Sequence, residues 1–146
     1  MTSTVAMRSN RRNVRIEWGD CDPLGIVFFP RYFAIFDDST AYLFEAVLGL
    51  RKLEVHDAFG FAGFPLVEAR ARFLIPSRCG DDVVVESTIS EFRNASFDVV
   101  HRLTKSGELA VEGFETRVWV VRDDSDPDKL RSQPIPREVR ERFGAA

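Results

Sequence analysis

The sequence is poor in the residues that build metal and disulfide scaffolds. It has two cysteines, Cys21 and Cys79, and two histidines, His56 and His101, in 146 residues. Two thiols cannot make a dense disulfide framework or a four-thiolate zinc site. The histidines lie far apart and neither belongs to an H-E-x-x-H pair, so a histidine zinc site has little support. Both read as surface or structural residues. No metal and no cofactor are expected. No run approaches the ~20 apolar residues of a membrane span. Basic residues number 20 against 23 acidic ones, a net charge of −3, which leaves no excess to hold a nucleic-acid backbone. A G-x-S-x-G elbow, a P-loop and a G-x-G-x-x-G turn are also missing. Residues 1–12 are polar, end in Arg8, Arg11 and Arg12, and lack the apolar stretch of a secretory signal. They read as a flexible tail. The expectation is a cytoplasmic protein with neither a membrane nor a nucleic acid as partner.

What is present suits one folded domain over residues 13–146. Apolar residues make up 45% and charged residues 29%. Phenylalanine stands out with 13 copies against two Tyr and two Trp, enough to fill a core or line an apolar pocket. Val14, Ile16 and Trp18 alternate with Arg15 and Glu17, which predicts a strand with one buried face. Residues 19–25, Gly-Asp-Cys-Asp-Pro-Leu-Gly, form a loop. Residues 29–48 carry Tyr32, Phe33, Phe36, Thr40, Leu43, Phe44 and Val47 at spacings of three and four, the pattern of a helix. Pro30 suits its first turn and Gly49 its end. Ile35, Tyr42 and Ala46 make its opposite side partly apolar, so the helix is buried on two sides or lies at a subunit contact.

Residues 50–64 look irregular. Four strands are predicted next: around Val67–Phe73, Val83–Ile89, Phe97–Leu103 and Leu109–Val121. The last has Phe114, Thr116, Val118 and Val120 on one side, and Ser106-Gly107 makes a hairpin turn before it. Residues 123–133 read as a loop and residues 137–143 as a short closing helix. The order strand, long helix, successive strands is α+β: an antiparallel sheet wrapped around one long helix.

The loop carries the chemistry. Asp20 and Asp22 stand two residues apart, just ahead of a helix start. Two neighbouring carboxylates resist joint ionisation, which raises one pKa and suits acid–base work. The helix start offers unpaired N–H groups and a positive dipole end, where an oxygen gaining negative charge can bind. The plainer reading makes Asp20 or Asp22 a turn residue or a helix-dipole partner.

Residues 16–32 read Ile-Glu-Trp-Gly-Asp-Cys-Asp-Pro-Leu-Gly-Ile-Val-Phe-Phe-Pro-Arg-Tyr. This run resembles the signature of the 4-hydroxybenzoyl-CoA thioesterase family of hotdog-fold proteins. The similarity continues more weakly through Phe64-Pro65-Leu66-Val67, Gly80-Asp81-Asp82-Val83, Ser96-Phe97 and Thr116-Arg117-Val118. The resemblance implies the hotdog fold and acyl-CoA hydrolysis in the branch that uses Asp. It implies that CoA enters only as part of the substrate. It also implies a homo-oligomer, a dimer or tetramer, with active sites at the subunit interface. Asp22 matches the catalytic aspartate, attacking the thioester or activating water. Phe29 matches the residue whose backbone N–H polarises the carbonyl. Asp20 supports the site, and Asp37 matches an acidic position that meets a substrate hydroxyl from the partner subunit. Phe28, Phe33 and Phe64 are expected against the acyl group. Arg93 is expected to hold CoA.

The chain departs from the family in ways that bear on substrate. Asn94 and Ala95 stand where the family has a basic cluster for the CoA phosphates, with Arg70, Arg72 and Lys105 as other cations within reach. Phe64 replaces a small hydroxylated residue, and Phe28 and Phe29 replace larger or hydroxylated aromatics, so the pocket is more apolar. Benzoyl-like, phenylacetyl-like and aliphatic acyl groups join 4-hydroxybenzoyl as possible substrates. Two other readings stand beside the thioesterase. One is a hotdog hydratase or dehydratase, which would call for a histidine beside the carboxylate. The other is a non-catalytic acyl-CoA binding module, which would have no need of Asp22.

Overall fold

A computed structural model describes residues 7–145. Strand β1 (Ser9–Arg15) enters a five-stranded antiparallel sheet, and helices α1 (Pro30–Leu48) and α2 (Lys52–Phe59) follow it. Strands β2 (Leu66–Phe73), β3 (Asp82–Phe92), β4 (Ser96–Lys105) and β5 (Glu108–Val118) complete the sheet in the order β1-β3-β4-β5-β2. A small hairpin of β6 (Val120–Arg122) and β7 (Leu130–Ser132) and the helix α3 (Arg137–Arg142) close the chain. The architecture is α+β, with α1 laid along one face of the sheet.

Sequence-local rules account for most of these boundaries. Pro30 occupies the first turn of α1, where its missing N–H costs nothing. Gly49 ends the helix at φ 68°, and its N–H donates to the Glu45 carbonyl at 2.9 Å. Ser106 and Gly107, both at positive φ, make the tight β4–β5 turn.

Four expectations need correction. The first strand starts at Ser9 rather than near Val14, so residues 9–12 belong to the sheet and not to a tail. Its polar sequence hides it, because an edge strand is held here by its ladder to β3. Arg12 also donates to Ser39 Oγ (2.8 Å) and to the Ile35 carbonyl (2.9 Å) on α1. Residues 1–6 of the expected tail lie outside the described residues. Trp18 does not continue the strand; it opens a 3₁₀ turn and is 84% exposed. Residues 50–64 contain α2, started by reciprocal bonding between Arg51 and Glu54 and ended at Gly60. Leu130–Ser132, within the expected loop, pairs with β6.

The core lies between α1 and the sheet in two apolar clusters. One gathers Phe44, Phe61, Phe64, Phe97, Trp119 and Phe143 around the C-terminal half of α1. The other gathers Ile16, Val27, Tyr32, Phe36, Val85 and Leu103 around its N-terminal half. Burying each such side chain contributes about 1.5–3 kcal/mol. Between the clusters runs a polar layer of Thr40, Ser87, His101, Glu115 and Arg117, all buried. It exists because β5 turns Val111, Gly113, Glu115 and Arg117 inward and leaves Phe114, Thr116 and Val118 on the outer, half-buried face. The Phe36 ring stacks on His101 with centroids 4.8 Å apart. Gly113 admits that ring: a Cβ there would sit 2.5 Å from Phe36 Cε2.

Candidate active site

The loop between β1 and α1 is folded back on itself and tied to residues 77–81. The Ile16 N–H donates to the Asp81 carbonyl and the Gly80 N–H to Ile16, each at 2.8 Å. The Val27 N–H donates to the Ser77 carbonyl at 2.9 Å. Inside the loop, Cys21 pairs with Val27, the Asp22 N–H donates to Ile26 and the Phe28 N–H to Asp20. Gly25, at φ 81°, closes the Asp22–Gly25 turn from the left-handed region, which favours glycine.

The two loop carboxylates have different positions. Asp20 Oδ2 accepts the Glu17 N–H at 2.9 Å and completes a local cap. Asp22 Oδ1 accepts the Leu24 N–H at 2.8 Å, while Oδ2 has no hydrogen-bond partner among the described residues. Asp22 is half-buried and lines a cavity of about 530 Å³ with Trp18, Cys21, Pro23, Gly25, Arg78 and Cys79. Desolvation pushes the Cys21 thiol up, and neighbouring Cys79, Asp20 and Asp22 add to it. Cys21 therefore stays a thiol, a poor nucleophile beside a carboxylate.

At the head of α1, Pro30 has no N–H, the Arg31 N–H donates to Phe28 and the Tyr32 N–H to Phe29. The Phe29 N–H is left without an acceptor among the described residues, at the positive end of a 19-residue helix. Phe28 and Phe29 are 50% and 58% exposed, with ring centroids 5.6 Å apart. Both flank the Asp22 hairpin, but neither lines the Asp22 cavity. Phe33 is half-buried and packs edge-on to Phe73 at 6.4 Å.

Asp37 and Phe64 meet in a second cavity of about 600 Å³, bordered by Lys52, Leu66, Arg117 and Leu130. Asp37 Oδ1 accepts from Arg117 Nη2 at 2.7 Å. Within one chain, Asp22 and Asp37 therefore open into separate cavities. Arg93 sits on the β3–β4 turn, at the far end of β3 from the Asp22 loop, which abuts Asp81. Its guanidinium is paired with Asp98 (2.5 Å) and Glu91 (3.0 Å). Lys105 is paired with Asp81 at 2.7 Å, and the Arg70 guanidinium lies 4.1 Å from the centre of the Phe114 ring.

The polar layer behind Asp37 escaped sequence reasoning. Glu115 accepts from Thr40 Oγ1 (2.5 Å), His101 Nε2 (3.0 Å), Arg117 Nε (3.0 Å) and Arg117 Nη2 (2.9 Å). Burial pushes the Glu115 carboxyl up, but hydrogen bonds and charge from His101 and Arg117 outweigh it and hold it at about 2. Burial lowers the Arg117 pKa, and Glu115 and Asp37 more than restore it. The available signal was the Glu-x-Arg spacing of two, which puts both side chains on one face of a strand. Among the described residues no group of three or more His, Cys, Asp or Glu converges to hold a metal, and no helix is long and apolar enough to cross a membrane.

Known proteins resemble the chain over most of its length. Residues 16–143 match the family model described as the thioesterase-like superfamily. A 4-hydroxybenzoyl-CoA thioesterase of Pseudomonas sp. (strain CBS-3) is 33% identical over 135 residues, 88% of this chain and 93% of that protein. The crystal structure of a variant 4-hydroxybenzoyl-CoA thioesterase complexed with 4-hydroxybenzoyl-CoA superposes with a TM-score of 0.84 at 30% identity, over 93% of this chain and 99% of its own. A gentisyl-coenzyme A thioesterase superposes with a TM-score of 0.76 at 32% identity, over 92% and 99%. The chain belongs to the thioesterase-like superfamily and, within it, to the 4-hydroxybenzoyl-CoA thioesterase family of hotdog-fold thioester hydrolases.

Proposed function

We propose that the chain hydrolyses aromatic acyl-CoA thioesters, with Asp22 as the reacting carboxylate and the Phe29 N–H as the donor to the thioester oxygen. Water and acyl-CoA give a carboxylate and free CoA, with no cofactor. Asp22 either attacks the carbonyl carbon, forming an anhydride that water opens, or takes a proton from the attacking water. Both routes put negative charge on the carbonyl oxygen, and an unpaired N–H at a helix start stabilises it. One observation carries the reading: Asp22 keeps one oxygen without a partner among the described residues, in an open cavity, on a hairpin that leads straight to that N–H. The names of the relatives support an aromatic acyl group.

The site is completed, in this reading, by a second copy of the chain. Trp18 and Leu24 are 84% and 76% exposed beside Asp22, an apolar surface that a partner would cover. The second cavity supplies what the first lacks, so the partner subunit's Asp37 would meet the far end of an acyl group held at Asp22. Arg93, also from a neighbouring subunit, would contact CoA. His101, fully buried and bonded to Ser87 and Glu115, is not free to serve as the histidine that a hydratase would need.

The test gives purified protein a panel of aroyl- and alkanoyl-CoA thioesters and follows thiol release. Asp22→Asn is expected to lower kcat by at least ~10²-fold with little change in binding. An Asn variant as fast as its parent removes Asp22 from the chemistry. Binding without thiol release in either form makes the chain an acyl-CoA binding module.

A further inference from the structure

We propose that Arg117 is a positioning residue for acyl-group choice: it fixes the Asp37 carboxylate and the Phe64 carbonyl in one cavity wall, which then selects an acyl group with a hydrogen-bond donor at its far end. This rests on the thioesterase reading and on Asp37 as the residue that meets the far end of the acyl group; what it adds is the part played by Arg117.

Arg117 is 3% exposed, and a buried guanidinium persists only when its donors are used. Two donors go to Glu115, on its own strand. The others leave β5: Nη2 reaches Asp37 Oδ1 on α1 at 2.7 Å, and Nη1 reaches the Phe64 carbonyl ahead of β2 at 3.1 Å. A rigid planar fork thus sets the spacing of three separate segments. The Asp37 side chain is 65% exposed, and a carboxylate that open to water has no fixed place of its own. Arg117 gives it one, and it leaves Oδ2 without a partner among the described residues.

An ionised carboxylate only accepts hydrogen bonds, so the wall favours a hydroxyl or amine and penalises an ether or a bare ring edge. Phe64, Leu66 and Leu130 supply apolar surface for the ring itself. The anchor is secure because Glu115 stays ionised through its bonds from Thr40, His101 and Arg117. Lys52 also borders the cavity, but it is an exposed side chain whose ammonium stands 5.9 Å from the centre of the Phe64 ring.

The experiment compares kcat/KM for 4-hydroxybenzoyl-, 4-methoxybenzoyl- and benzoyl-CoA. The parent protein is expected to prefer the hydroxyl compound by about tenfold or more, the worth of a hydrogen bond to a charged group. Arg117→Met is expected to shrink that preference to about threefold or less. Asp37→Asn should do the same, and the double variant should add little, as for residues acting through one group. Arg117→Lys keeps a cation against Glu115 but loses the fork, and is expected to fall between. It serves alone if the Met variant does not fold. A common slowing of all three thioesters, with the preference intact, would mean that Arg117 only holds the fold and would overturn the inference. A parent that takes all three equally, or prefers the methoxy compound, overturns it while leaving the thioesterase reading standing. A parent that releases thiol from no substrate defeats that reading itself.

Discussion

Asp22 and Glu115 are both carboxylates close to α1, and they are held in opposite ways. Asp22 takes one hydrogen bond from its own turn and faces an open cavity. Glu115 takes four from three residues and is sealed between helix and sheet. The group with spare lone pairs is available for chemistry. The saturated one is available only for architecture. The chain thus separates an open end of α1, built from a glycine-containing loop and exposed aromatics, from a rigid middle in which Arg117 bonds Asp37 and the Phe64 carbonyl.

Substitution at the two carboxylates sharpens this contrast most. Glu115→Ala leaves Arg117 and His101 buried without their shared acceptor, and stability is expected to fall by about 3–5 kcal/mol in denaturant unfolding. Asp22→Ala removes one local bond and is expected to cost about 1 kcal/mol or less. Equal losses would break the comparison. Acid gives a graded version. The Glu115 carboxyl lies below its ordinary value when folded, so its contribution is complete above the unfolded pKa of about 4.5 and is lost as pH falls toward about 2. Melting temperatures recorded between pH 6 and pH 2 are expected to drop mainly below pH 4.5, and Glu115→Gln should flatten that drop. Gly113→Ala adds a single methyl group. That group meets Phe36, the ring stacked on His101, and a loss of about 1–3 kcal/mol is expected in thermal unfolding. A neutral result would mean that the stack has slack.

The open end was far more legible than the rigid middle. The loop at residues 19–25, the bounds of α1, the Ser106-Gly107 turn and the short last helix all follow from local chemistry: glycine, proline and helical spacing. The polar layer does not. Periodicity assumes that the apolar face is the inner one, and in β5 the bulky Phe114 and Val118 point outward while Glu115 and Arg117 point inward. Such a burial is stable only because Thr40 and His101, distant in sequence, arrive to satisfy it. The start of β1 was hidden for a related reason: its ladder to β3, and not its own apolarity, holds residues 9–12. The separation of Asp22 from Asp37 was implied only by the family resemblance, which sets Asp37 against a substrate from the partner subunit.

Sealing His101 beneath Phe36 has a consequence for covalent labelling. An imidazole-acylating reagent meets a single accessible ring, His56 on the exposed side of α2. Inactivation by such a reagent would report on His56 and that short helix, and would say nothing about His101.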